Sequence, residues 1–171
     1  MKRLQLTGAL LCLGVLLVGF NVAALTVTLP TVAPPQRFAR TSTTVDPCFT
    51  STKSYGNVNL TASAQLLTGT AGQVFYFCSL NLVVGAADNV AAVEGTGTTC
   101  GTATIAVPGT SGGATAATGW NFAANGGIAL GNGLGAVGQT AVAGDNVCLL
   151  VSSGAQVSGG YSYVVAPQNI Q

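Results

Sequence analysis

Four carboxylates and five thiols are the groups in this 171-residue chain equipped for acid–base, nucleophilic or metal-binding work. The acids are Asp46, Asp88, Glu94 and Asp145; the thiols are Cys12, Cys48, Cys78, Cys100 and Cys148. Histidine is absent, so no Ser-His-Asp triad, Cys-His pair or imidazole metal site can be assembled. A glycosidase needs two carboxylates flanking a bond, and Glu94 with Asp88 or Asp145 is the pair to weigh. Against that stands a plainer reading. Asp88 and Asp145 fall in Gly/Asn turns, where an acid ordinarily bonds its own backbone. Glu94 follows Val90-Ala91-Ala92-Val93 and precedes Gly95-Thr96-Gly97, as a strand-end acid with a backbone or hydroxyl partner does. We take the plainer reading and expect no catalytic residue and no cofactor. Gly131-Asn132-Gly133-Leu134-Gly135 has the glycines of a phosphate loop, but no helix follows to supply a dipole.

The thiols point to stability. Cys12 lies in an apolar leader, where it is a small hydrophobe. Export of the rest would permit disulfides, and Cys48, Cys78, Cys100 and Cys148 are the candidates. Four cysteines allow three pairings, which sequence does not choose among. Closing Cys78 to Cys100 would contribute roughly 3 kcal/mol and Cys78 to Cys148 roughly 4, too close to decide. With no CxxC pair and no histidine, zinc is disfavoured. Two bridges and no metal are expected.

These residues must be held by a scaffold, and its organisation is readable along the chain. Residues 1–24 form a signal-like N-terminal helix: Lys2 and Arg3 precede the apolar run Gly8 to Phe20, and Val22-Ala23-Ala24 offers a cleavage site. The rival is an uncleaved anchor. Residues 25–47 are a Pro/Thr-rich linker, with Pro30, Pro34, Pro35 and Pro47 favouring extended backbone. Residues 48–171 read as one all-β domain. Its longest strand is Gln73 to Val84, where Val74, Tyr76, Cys78, Leu80, Leu82 and Val84 alternate with a face carrying Gln73, Ser79 and Asn81. Further strands are expected at Asn57 to Ser63, Asn89 to Glu94, Thr102 to Val107, Trp120 to Phe122, Ile128 to Leu130, Ala136 to Val142, Asn146 to Ser152 and Gln156 to Val165, with Gly-rich turns between them. About eight short antiparallel strands so punctuated imply a β-sandwich or jelly roll.

Charge is scarce: 5% of residues, against roughly 25% in an ordinary soluble domain. Beyond the leader, Arg37, Arg40 and Lys53 face the four acids, a balance of −1. No basic face exists to neutralise several phosphates, which excludes nucleic acid as a partner. So few charges also leave little repulsion between copies, so self-association, a trimer for instance, or packing on particle or surface proteins is expected. Membrane contact would come only through an uncleaved N-terminal segment. Phe75 and Phe77 share a face with Gln73, Ser79 and Asn81, which places them outside the core as interface residues. Trp120 is either a core or subunit contact, which we favour, or a sugar-stacking ring.

Asp46-Pro47-Cys48, Tyr76 to Leu82, Asn89 to Thr102, Gly119 to Gly133, Ala143 to Leu150 and Gln156 to Val164 together resemble a group of small Gly/Thr/Ala-rich, four-cysteine β proteins. That group occurs in bacteriophage-like and environmental viral sequences and is usually carried as uncharacterised virion-structural proteins. The resemblance covers nearly all of Cys48 to Ala166 and implies a non-enzymatic β module decorating a capsid or tail. The alternative is an exported bacterial module that binds carbohydrate or another surface ligand through Trp120 and the Asn/Thr-rich loops. The expected location is secreted or periplasmic after leader cleavage, or the virion for a phage protein.

Overall fold

A computed structural model of the chain describes residues 45–168. The leader and most of the linker lie outside those residues. In chain order the elements are α1 (Pro47–Thr50), β1 (Ser54–Leu60), β2 (Ala64–Leu67), β3 (Gln73–Val84), β4 (Asp88–Thr96), β5 (Thr102–Ala106), β6 (Trp120–Phe122), β7 (Gly127–Leu130), β8 (Gly138–Gln139), β9 (Asn146–Val151) and β10 (Val157–Pro167). The strands form two antiparallel five-stranded sheets, so the fold is all-β and sandwich-like. The first runs β1-β10-β3-β7 with β8 also on β3; the second runs β2-β9-β4-β5 with β6 also on β4.

The interior is filled from alternate positions of the two sheets. Leu80, Leu82 and Val84 of β3, with Val157 and Tyr161 of β10, meet Val90 and Ala92 of β4 and Val147 and Leu149 of β9. The strict alternation expected along β3 fails at one point. Ser79 pairs with Ser162 and Phe77 with Tyr163, so Cys78 is an extra residue with no partner on β10. This β-bulge reverses which side chains face inward. Beyond it Phe75 and Phe77, 4% and 2% exposed, point into the main core. They are therefore core residues and not the exposed interface residues the unbroken pattern placed there. Their rings lie 5.9 Å from Tyr163 and 6.0 Å from Tyr161.

Val74, Tyr76 and Cys78 are turned to the outer face of the first sheet. There, with Val164, they pack against Cys48 of α1. The outer face of the second sheet carries a matching cluster of Ala91, Val93, Cys100 and Cys148.

Other segments depart from expectation for local reasons. The four-residue α1 is too short for a helical period to register. Asp46 caps it, its Oδ1 accepting from the Cys48 N–H at 2.8 Å, with Pro47 in the first turn where its missing N–H costs nothing. Strand β2 was not anticipated. Of the expected strand Ala136 to Val142 only Gly138–Gln139 pairs, because the residues after it give their N–H groups to side chains and to β3.

Candidate functional site

The four thiols form two disulfides, Cys48–Cys78 and Cys100–Cys148. All four sulfur-bearing residues are fully buried, and each bridge lies on the outer face of one sheet. Neither bridge ties sheet to sheet. One pins α1 onto the first sheet; the other pins the loop after β4 onto β9.

The acids act on loops. Glu94 is 0% exposed and sits at the far end of β4, on the inward-facing parity. Its Oε1 accepts from the Ala141 N–H at 2.7 Å and its Oε2 from the Val142 N–H at 3.0 Å. The preceding residue, buried Thr140, accepts from the Phe75 N–H at 3.0 Å. Residues 140–142 are thus stitched to both sheets and close one end of the sandwich. Burial pushes the Glu94 carboxyl up, against the pull of the two N–H groups, and the Asp145 charge adds to the rise. Fully buried, the Glu94 carboxyl has no open face toward solvent. The strand-end acid with backbone partners is what the structure places here.

Asp46 performs a second stapling. Besides capping α1, its Oδ2 accepts from the Ala136 N–H at 2.8 Å, joining the chain's entry to the loop after β7.

Asp88 does not bond its own turn, as the sequence suggested. Its Oδ1 accepts from the Ser152 N–H at 2.9 Å, the Ser152 hydroxyl at 2.7 Å and the Ser153 N–H at 2.9 Å. Burial acts to raise this carboxyl, but the donors of Ser152 and Ser153 together outweigh it and hold the group below its ordinary value. The other oxygen, Oδ2, is buried and has no hydrogen-bond partner. Native proteins rarely leave such an atom alone. Asp88 also lines a pocket of about 210 Å³ with Ala87, Asn89, Asn121, Phe122 and Ser152. The pocket lies where β4 meets the short β6, with Asp88 opposite Phe122 and Asn89 opposite Asn121. Sequence reasoning missed it because Ser152 is 64 residues from Asp88 and no motif links them.

Trp120, next in the same strand, is half-buried and packs on the core, its ring centroid 6.3 Å from that of Phe122. No family model matches this chain, and neither a curated protein nor a solved structure does. Among the described residues no group of three or more His, Cys, Asp or Glu side chains is placed to hold a metal ion, and no helix is long and apolar enough to cross a membrane.

Apolar side chains left exposed include Val45, Phe49 and Leu134, with Phe49 at 68%. All three lie on the two segments joined by the Asp46–Ala136 hydrogen bond.

Proposed function

We propose that this protein is a non-enzymatic structural module that packs against copies of itself, adding to a capsid, tail or other extracellular assembly. The observation that carries this reading is the use of its reactive groups. Asp46, Asp88 and Glu94 hold loops through backbone N–H groups, and Cys48, Cys78, Cys100 and Cys148 are joined in bridges. A domain whose described cysteines and three of whose four acids serve rigidity is built to present a fixed surface.

The strand order supports the finer reading of a jelly roll. With β6 and β8 set aside as side strands, the first and eighth main strands neighbour each other, and the second and seventh do so in the opposing sheet. That interleaving is the double Greek key found in viral capsid and lectin domains, which is an argument from fold alone. Self-packing is supported by the sparse charge and by Val45, Phe49 and Leu134, exposed around the point where the chain enters the domain. Export through the leader, and a virion or extracellular destination, agree with the two disulfides, which persist in oxidising surroundings.

Light scattering behind size exclusion on the full chain tests the proposal. A stable oligomer that dissociates on Phe49→Ser or Leu134→Ser is expected. A monomer at all concentrations up to about 100 µM, well above the Kd of a specific homo-oligomer, would refute self-assembly.

A further inference from the structure

We propose that the free edge of β1 pairs antiparallel with the same edge of a second copy of this chain, so that the first sheets of the two copies become one. This rests on the self-assembly reading and adds to the exposed patch around Phe49 a second contact, made by main chain.

The starting point is a comparison of the sheet edges. An edge strand leaves a row of N–H and C=O groups unpaired, and folded proteins guard it with shortness, charge, proline or a bulge. Strand β2 has four residues and a register shift on β9. Strand β5 has five, with a register shift on β4. Strands β6, β7 and β8 have three, four and two. Strand β1 carries none of these guards. Its seven residues, Ser54 to Leu60, pair one for one with β10 without a shift and include no charge and no proline. Among the described residues β10 is its sole strand neighbour.

That edge is also open. The ring of Tyr161 occupies the place a Cβ would take at Gly56, yet Gly56 is half-buried and not buried. With β10 on one flank and the ring beneath, what Gly56 shows to solvent is main chain on its free side. Tyr55, Asn57 and Asn59 are exposed along the outer face.

The residues of β1 suit their own copy. Two-fold pairing with full overlap sets Asn57 opposite Asn57 of the copy, Gly56 opposite Val58 and Tyr55 opposite Asn59. Inward residues meet inward residues, so both cores keep their facing. An amide both gives and takes hydrogen bonds, so Asn57 can bond its own image at the axis, where an acid or a lysine would repel itself. Lys53 lies just outside the overlap and meets no like charge.

Light scattering behind size exclusion, over a dilution series of the full chain, tests the pairing. The Phe49→Ser chain, stripped of the entry contact, should fall to a dimer and not to a monomer. In that background Asn57→Lys and Asn57→Glu, both at an exposed side chain, should leave Tm unchanged and weaken the dimer about fivefold. Their equimolar mixture should associate about tenfold more tightly than either alone. A Phe49→Ser chain that is monomeric at about 100 µM, a dimer unmoved by Asn57→Lys, or a mixture no tighter than its parts would each overturn the pairing. An oligomeric parent would then leave the assembly reading standing, whereas a monomeric parent would overturn both.

Discussion

Removing one disulfide at a time gives the sharpest measure of what holds this domain together. Cys100–Cys148 spans 48 positions and Cys48–Cys78 spans 30. In the loop-entropy account, cross-links of those lengths contribute about 4.1 and about 3.6 kcal/mol by restricting the unfolded chain. All four cysteines are fully buried, so alanine is the replacement to use; serine would add a buried hydroxyl with its own penalty. Unfolding entropy near 2.1 cal/mol/K per residue, over about 120 residues, turns each kcal/mol into about 4 °C of Tm. Calorimetry on the full chain should therefore show Cys100→Ala/Cys148→Ala melting about 16 °C below the parent, and Cys48→Ala/Cys78→Ala about 14 °C below. Gaps left by the missing sulfurs add to both losses. A drop under about 4 °C in either double variant would refute the reasoning, since it would mean less than about 1 kcal/mol from the link. So would a melting curve unmoved by dithiothreitol once thiol titration shows both links reduced.

Glu94 and Asp88, both buried, should respond to pH in opposite directions. Burial raises the Glu94 carboxyl, so its contribution is fullest below the unfolded value and declines as pH climbs through the raised one. The wild-type margin over Glu94→Gln, from urea melts, should shrink between about pH 3 and about pH 7. Asp88 is held low, so the margin over Asp88→Asn should be full at neutral pH and shrink as pH falls into the acid range. Parallel pH trends in the two variants would contradict the assigned environments. Among the aromatics, Phe77→Ala should cost about 3–5 kcal/mol as a core truncation, and Phe49→Ala less than about 0.5. Equal costs would contradict the bulge that turns Phe77 inward.

The strands that depend on local pattern were legible. Gln73 to Val84 is an element to the residue, and Asn146 to Ser152 and Gln156 to Val165 lie within a residue or two of β9 and β10. Val58 and Leu60 face inward as their alternation implied. What sequence did not carry was everything set by partners distant in the chain. Nothing in the string around Cys78 marks it as a bulge, because the bulge exists only relative to β10. The segment from Ala136 to Val142 has strand composition, yet Ala141 and Val142 bond Glu94 instead of a neighbouring strand. The disulfide pairing and the Asp88 pocket have the same character: both join residues dozens of positions apart.

Cys78 does two things at once: it is the unpaired residue that reverses the facing of β3, and it is the anchor of α1. Loss of one residue at that point would break the sulfur link and swing Phe75 and Phe77 to the outside together. The middle of β3 should therefore tolerate neither insertion nor deletion across natural variants. Length changes in this chain should collect in the glycine-rich connections, such as 131–135.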